Sequence, residues 1–547
     1  MTAQNTKAAA TPGWAALTFS PLENPLFRSI WIGGLVSNLG TVIQRTVAAW
    51  VMVTIGGTPL LVSLVHTVAV LPMMLFALLA GALADMFSRK VQMIIALIAS
   101  ASVATLLWLL VVMSWLTPFS LLLCTFLLGA GMAFYVAAWQ SSVYEIVSPE
   151  RLSPAISLNG LSFNTARSIG PAIGAELLAS FGAAAAFLAN ALSFIVLIFA
   201  LLRWKPKQEE KSGPREMIGG AIADGLRFVS MSPSVRGLIL RGWMYGFCGA
   251  TALSMPPLMV VELGMGPRAL GGLLAGFGIG AMAGALGVAR LREVWGAERV
   301  ILTSSLLLAA MLAVAAFSTF YVLTLVAMTL AGAGWVLGTS TFQVAVQLSC
   351  PRWVAGRTIS IFNMVFFFGL AIGSAAWGMV AEVWSVPNAL AISSALLFVS
   401  VAIGRLFPIV EPTLEALQPI GKQPPEPLSQ IDARAGPIVV TLEYRTREGV
   451  DEDFLAAMAQ LKQIRRRDGA RKWRLTRDLD DASLWVERFH SPTWSDYLRR
   501  ISRRLEGDLP VYEKIESLLT GKPVYHRRVE TSVGKPLSQT GVDVSVS

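Results

Sequence analysis

The sequence predicts an all-α polytopic membrane protein, with twelve transmembrane helices in two six-helix bundles, followed by a small soluble α+β domain. Three observations predict it. Of the 547 residues, 54% are hydrophobic and only 14% charged, far from the composition of a soluble domain. The apolar residues fall in blocks of about 20, the length that crosses a hydrocarbon core of roughly 30 Å as a helix. The chain also repeats itself. Phe163-Asn164 and Gly170-Pro171-Ala172-Ile173-Gly174 return 199 positions later as Phe362-Asn363 and Gly369-Leu370-Ala371-Ile372-Gly373.

Two more echoes support a repeat of six spans. Gly129-Ala130-Gly131 with Gln140 matches Gly332-Ala333-Gly334 with Gln343, and Gly81-Ala82-Leu83 matches Gly284-Ala285-Leu286. Parallel repeats of this size build one large transporter architecture. The spans read as about 29–54, 60–84, 91–113, 117–143, 157–180 and 184–203, then 236–261, 269–290, 299–319, 321–347, 357–382 and 387–407. Strict alternation in segments near 10 residues, the mark of a membrane β-barrel, is absent. Helices are then the way to satisfy backbone polar groups in lipid.

Net charge is +10, and its distribution sets the topology. Arg89, Lys90, Arg151, Arg203, Lys205, Lys207, Lys211, Arg215, Arg227, Arg290, Arg292, Arg299, Arg352 and Arg357 fall in alternate loops. The other loops hold Arg268 as their basic residue. This positive-inside pattern predicts both termini in the cytoplasm. A nucleic-acid partner would need a basic soluble surface on the main body, which the sequence does not offer. Cys124, Cys248 and Cys350 are scattered through predicted helices and make neither a disulfide framework nor a metal pattern. Residues 1–26 lack the apolar core of a cleavable signal.

The expected organisation is a cytoplasmic arm (1–26), a first bundle (27–203), a linker (204–233), a second bundle (234–408), a Pro-rich linker (409–436), an α+β domain (437–530) and a disordered tail (531–547). Within the first linker, Ala221–Val229 suits a short amphipathic helix on the membrane surface. In the α+β domain, Ile438–Tyr444 alternates like a strand, and Asp451–Arg466 places Phe454, Met458 and Leu461 at helical spacing. Trp473–Arg477 and Ser483–His490 pattern as a strand pair, Trp494–Leu505 and Val511–Leu519 as helices, and Val524–Val529 as a last strand.

Gly81, Asp85, Arg89 and Lys90, between spans 2 and 3, carry the strongest local signal. A glycine lets a neighbouring helix approach, an aspartate at the membrane edge suits a helix N-terminus, and the Arg-Lys pair is held by headgroups. Together they form a breakable latch, which a plain positive-inside turn would not require. Charges inside spans are costly and point to function. Arg45 and Arg167 could hold an anionic cargo bidentately, or act as structural glue to Asn38, Gln44 and Asn164. Trp139, Gln140, Phe342 and Gln343 occupy equivalent repeat positions and are cavity candidates, as is Asn164. Met73, Met74, Phe134, Tyr135, Trp335, Phe366 and Phe367 could line an apolar cavity or simply pack. Glu145, Glu176, Glu262 and Glu382 read as solvated rim carboxylates. Arg241 could face the cavity or snorkel, and His66 reads as a packing residue. Gly170, Pro171 and Gly174 predict a kinked, tightly packed span 5.

These motifs carry a resemblance. Gly81…Asp85…Arg89-Lys90 resembles the loop 2–3 signature of the major facilitator superfamily. Ser37-Asn38-Leu39-Gly40 with Gln44-Arg45, Trp139-Gln140, and Phe163-Asn164-Thr165-Ala166-Arg167…Gly170-Pro171 resemble its enterobactin-exporter-like branch, the transmembrane secretion effectors. Met86 and Ser88 depart from the Arg and Gly common in that loop, and Thr41 stands where relatives often carry an acidic residue. Gly170-Pro171-Ala172-Ile173-Gly174 resembles the antiporter motif of exporters. The resemblance implies alternating access in a bacterial inner membrane, with proton-driven export of a small amphipathic molecule, siderophore-like or drug-like. Import, or a membrane-anchored sensor or enzyme acting through the tail, are the alternatives. No Gly-x-x-x-x-Gly-Lys-Ser/Thr loop is present, so direct ATP drive is disfavoured.

The tail, from Gly436-Pro437-Ile438 through Arg465-Arg466-Arg467-Asp468-Gly469-Ala470, resembles the ferredoxin-like extension of many bacterial members. It holds His490 and His526 without a spaced metal cluster. No catalytic residue, cofactor or metal site is expected. A regulatory or docking module is expected instead, with Arg465-Arg466-Arg467 and Arg499-Arg500 near anionic lipid or a partner, including a second copy.

Overall fold

The computed structural model describes residues 19–148, 151–205, 218–404 and 430–530, with the pair 542–543 and the single positions 416, 418 and 420. The greater parts of the expected arm, Pro-rich linker and terminal tail lie outside the described residues, as do the side chains of Asp85, Arg352 and residues 218–224.

The apolar blocks are helices: α1 (Pro25–Thr54), α2 (Pro59–Met86), α3 (Arg89–Val112), α4 (Pro118–Ile146) and α5 (Leu152–Leu202). Then come α6 (Ile218–Met231), α7 (Pro233–Gly249), α8 (Thr251–Ser254), α9 (Pro256–Glu262), α10 (Pro267–Phe317), α11 (Tyr321–Leu348), α12 (Arg352–Val383) and α13 (Val386–Gly404). Proline opens α1, α2, α4 and α10, where its missing N–H costs no hydrogen bond. Asn24 caps α1 through bonds from the Leu26 and Phe27 amides.

Two expected loops are single-residue breaks. α5 contains spans 5 and 6 and turns at Gly182, whose φ of 78° excludes most side chains; α10 contains spans 8 and 9 and turns at Gly296, at φ 76°. Span 7 is broken: α7 and α8 meet α9 at 44°, at the Pro256-Pro257 pair. Counting these halves, twelve apolar spans stand among the described residues.

The chain divides into two compact units. The first contains the described spans up to 205, 238–344 and 362–404. The echoed glycines do equivalent work in its two bundles. A Cβ at Gly170 would lie 2.8 Å from Val42 Cγ1, and one at Gly174 3.2 Å from the Ile43 backbone, so span 5 packs on span 1. Gly369 and Gly373 meet the Trp243 and Phe247 carbonyls in the same way, packing span 11 on span 7. Gly129 and Gly332 face spans 2 and 8; Gly131 and Gly334 face spans 3 and 9. Close backbone approach is what small residues provide in lipid, and the repeat places it at matching joints.

The second unit comprises 218–237, 345–361 and the domain after 430. Its sheet strands are β1 (Ile438–Arg445), β2 (Arg471–Arg477), β3 (Leu484–Ser491) and β4 (Val524–Val529), antiparallel in the order β2-β3-β1-β4. Helix α14 (Asp451–Arg467) joins β1 to β2, and α15 (Trp494–Ser502) with α16 (Leu509–Ser517) joins β3 to β4. This is the ferredoxin-like βαββαβ topology. Ile438, Val440, Leu442 and Tyr444 of β1 share a core with Phe454, Met458, Phe489 and Tyr497. Asp451, Glu452 and Asp453 open α14 and Arg465, Arg466 and Arg467 close it, matching its dipole at both ends.

The expected surface-lying helix of the linker falls within α6, and its Phe228 is buried by protein: it packs edge-on against Trp353, 6.0 Å between centroids. The Arg503 guanidinium lies over that indole, 4.0 Å from its centre. The arm also ends in structure. Ser20–Glu23 form a 3-10 turn, and Glu23 pairs with Arg151 at 2.8 Å.

Candidate functional site

Spans 1 and 5 run side by side, with Val42 against Gly170 and Ile43 against Gly174. Arg45 follows Val42 by three residues and Arg167 precedes Gly170 by three. At 1.5 Å per residue the two α-carbons stand roughly 9 Å apart along the helix axes. Arg45 is exposed and Arg167 partly exposed, and they lie close enough to interact electrostatically. Among the described residues neither guanidinium has a hydrogen-bond or ion-pair partner; Arg167 lies over the Phe163 ring, 5.7 Å from its centre.

The glue reading named Asn38, Gln44 and Asn164, and the structure gives the first two other partners. Asn38 Nδ2 donates to Ser162 Oγ at 3.3 Å, and Gln44 Oε1 accepts from Asn190 Nδ2. Asn164 is half-buried, one turn before Arg167, and its side chain is in no described hydrogen bond. Arg45 also lines a pocket inside the first bundle with Thr41, Gln44, Gly131 and Tyr135.

The four symmetric cavity candidates divide. Gln140 and Gln343 are exposed. Phe342 is 1% exposed and enclosed, stacked within an aromatic core of the second bundle with Tyr245, Trp335 and Phe366. It borders a small pocket with Arg241 and Tyr245 inside that bundle and, unlike the two glutamines, is not exposed. Trp139 is half-buried against the core of the first bundle. Phe366, the repeat equivalent of Arg167, fills the second bundle where the first carries its charge.

Arg89 and Lys90 act within the first bundle. Arg89 Nη1 donates to Ser141 O at 2.7 Å and reaches Glu145 Oε1 at 2.5 Å, tying span 3 to span 4. Lys90 Nζ donates to the Leu202 and Trp204 carbonyls, a cation on the C-terminal end of span 6. Glu145 is thus paired and not a free rim carboxylate. Among the described residues nothing stands within 4 Å of a Cβ at Gly81. The Asp85 side chain lies outside the described residues. The Pro171 region keeps helical dihedrals, and the break in α5 falls eleven residues later at Gly182. Gly170 and Gly174 provide tight packing; the expected kink at Pro171 is not marked by any non-helical dihedral, and Gly182 is the turn into span 6.

The described joints between the bundles gather away from the basic loops. His66 Nδ1 meets Ser374 Oγ at 3.0 Å, and Thr67 Oγ1 donates to Ala371 O at 3.0 Å. Ser168 Oγ donates to Gly278 O at 3.1 Å. Glu382 accepts from the Leu60 amide at the N-terminus of α2 at 3.1 Å, and Glu176 pairs with Arg268 at 3.0 Å. Glu176 and Glu382 are exposed at span ends, as expected of solvated rim carboxylates, and each also bridges the bundles; His66 is an inter-bundle contact. The sequence carried no signal for this pairing. Arg241 neither faces the cavity nor snorkels. It is 8% exposed and forms a two-pronged pair with Glu298 at 2.8 and 3.0 Å.

Two repeated six-helix bundles joined by polar bonds define a transporter of the major facilitator type. The solved structures agree on the fold. A bacterial homologue of the human lysosomal transporter Spinster, in an inward-facing and occupied conformation, superposes at TM-score 0.58 with 13% identity, covering 71% of this chain and 97% of that one. The nucleoside transporter NupG superposes at 0.55 with 15% identity, covering 70% and 98%. Residues 16–534 match the family model described as transmembrane secretion effector, and the chain belongs to that family. Among curated relatives, the multidrug efflux pump Tap of Mycolicibacterium fortuitum is 25% identical over 64% of this chain and 88% of the pump. The enterobactin exporter EntS of Escherichia coli O1:K1 is 28% identical over 59% of this chain and 78% of the exporter.

Proposed function

We propose that this protein exports a small amphipathic molecule across a bacterial inner membrane by alternating access, driven by the proton gradient, with both termini in the cytoplasm. One observation carries the reading. The described inter-bundle bonds, from Ser168–Gly278 through His66–Ser374 to Glu176–Arg268, lie on the side away from the basic loops, while Gly81 near those loops faces open space. With the basic loops inside, this is the state open to the cytoplasm, ready to load cargo for export. The efflux activities named for Tap and EntS support that direction.

In this reading Gly81, Asp85, Arg89 and Lys90 form the inner gate. Arg89 and Lys90 hold span 3 to its own bundle while the gate is open, and Gly81 receives the opposite bundle when it closes. Gly170, Pro171 and Gly174 keep span 5 on span 1 as the bundle rocks. Arg45, Asn164, Arg167, Gln140 and Gln343 form the polar cavity wall. The ferredoxin-like domain is a regulatory or self-association module.

The test is accumulation of fluorescent anionic and cationic dyes in cells that lack or overproduce the protein. Deletion should raise accumulation, and an uncoupler should abolish the difference. Lower accumulation on deletion would instead indicate import.

A further inference from the structure

Linker helix α6 and residues 345–361, which contain the start of span 11, belong to the same compact unit as the ferredoxin-like domain. Trp353, in the first turn of α12, is where the three meet. Phe228 of α6 packs edge-on against its indole, and Arg503, at the close of α15, lies 4.0 Å from the ring centre. Two glycines bring the partners this close. A Cβ at Gly225 of α6 would lie 3.1 Å from Arg357 Cβ and 3.3 Å from Ile361 Cδ1, so α6 packs on the start of span 11. Gly469, at φ 109° just past α14, would place a Cβ 3.5 Å from Arg227 Nη1 and 3.8 Å from Arg503 Nη1. One guanidinium from the linker and one from the domain thus meet at the C-terminal end of α14, the negative end of its dipole.

The contact carries opposed terms. The Arg503 and Phe228 contacts with the indole favour it. Against them, Trp353 Nε1 is buried and finds no acceptor among the described residues. A buried N–H left unpaired is costly, and water would pair it once the contact opens. The chain gives such an opening a consequence. Residues 206–217 tie α6 back to span 6 of the first bundle, while α6 itself is held on span 11 of the second. We infer that the ferredoxin-like domain is a brake on the inner gate: by clamping α6 to the start of span 11 at Trp353 it holds the two bundles in the present state, and release of the clamp lets the cytoplasmic side close. The brake rests on the inward-open reading above; the clamp itself does not.

The test compares the full-length protein in lipid nanodiscs with its Arg503→Ala, Trp353→Leu and Phe228→Ala variants. Amide hydrogen exchange of α6 should speed up about tenfold in each, while β1 and β3 exchange as in the parent. Arg503→Ala combined with Trp353→Leu should add less than the two separately, because both remove one contact. In a Ser63→Cys background, labelling by an impermeant maleimide should rise about threefold in Arg503→Ala and in Phe228→Ala. Unchanged α6 exchange in every variant, or additive effects of Arg503→Ala and Trp353→Leu, would overturn the clamp. Faster α6 exchange with unchanged labelling would overturn the brake. Phe228 lies outside the domain, so its variant decides the matter even if Arg503→Ala loosens β1 and β3. Dye export tests the transport reading separately, and dye import would fault that reading while leaving the clamp standing.

Discussion

Glu176 on span 5 and Arg268 at the start of span 8 form a joint between the two bundles on the side away from the basic loops, with Arg268 Nε 3.0 Å from Glu176 Oε2. Both side chains are more than half exposed. An exposed pair contributes about 0–1 kcal/mol, too little to matter for folding and enough to bias two conformations of similar energy. Glu176→Gln should leave the melting temperature within about 1 °C while favouring the outward-open state about twofold. The readout is labelling by an impermeant maleimide at Ser63→Cys, a fully buried position packed against Gly378 in the present state. Labelling should rise; unchanged labelling would show that the joint does not hold the outer side.

Gly81 separates gate from scaffold. It has open space around it here, so Gly81→Leu should not destabilise this conformation. Transport should nevertheless fall at least about tenfold if the opposite bundle must pack there during closure. Gly373→Leu gives the opposite pattern. A side chain there would strike the Phe247 carbonyl, and the protein should be lost before transport is measured.

In the tail, Glu487 is fully buried and accepts bonds from Tyr444 Oη at 2.6 Å, Trp473 Nε1 at 2.7 Å and Arg465 Nε at 3.1 Å. Burial opposes its charge, but Arg465, Tyr444 and Trp473 together hold the carboxyl below its ordinary range. Glu487→Leu should destabilise this domain by about 3–5 kcal/mol, because it strands the Arg465 charge. Hydrogen exchange of β1, β3 and α14 in the full-length chain reads this directly. Protection unchanged from the parent would contradict the buried network.

Asp468, next to the close of α14, gives a pH dependence of known sign. Burial pushes its carboxyl up to about 6 although Arg467 lies 3.0 Å away. Between about pH 4 and 6 the folded domain therefore binds more protons at this site than the unfolded chain. This contribution to stability is fully present at lower pH and lost as pH rises through that window. The site accounts for a loss on the order of 3 kcal/mol. The low carboxyl of Glu487 works in the opposite sense, so the diagnostic is the difference between parent and Asp468→Asn in exchange protection across that window. The variant should gain relative to the parent as pH rises; a constant difference would show that Asp468 is not the group responsible.

Much of the architecture was legible because length and hydropathy decide which segments span a bilayer, and because the echoed glycines mark the joints that both bundles need. The tail strands and helices followed from alternation and helical spacing. The turns at Gly182 and Gly296 were harder to read, since one residue with positive φ replaces a loop that composition would otherwise mark. The cavity wall was only half legible. Spans are apolar on all sides, so periodicity does not say which face looks inward, and Phe342 proved to be core although its neighbour Gln343 is exposed. Arg45 and Arg167 stood out from the sequence as charges in lipid. The inter-bundle bonds of His66, Glu176 and Glu382 depend on side chains about 90 to 320 positions apart, as Glu176–Arg268 and Leu60–Glu382 illustrate, and no local pattern announces them.

The most direct measurement is flux in proteoliposomes containing the full-length protein, with a pH gradient imposed in either sense and a panel of anionic, neutral and cationic amphipathic dyes. The account predicts uphill movement of an anionic dye against the direction of proton flow, collapse of that movement with a protonophore, and its loss in Arg45→Gln. Flux of every dye that ignores the gradient would contradict proton-driven export.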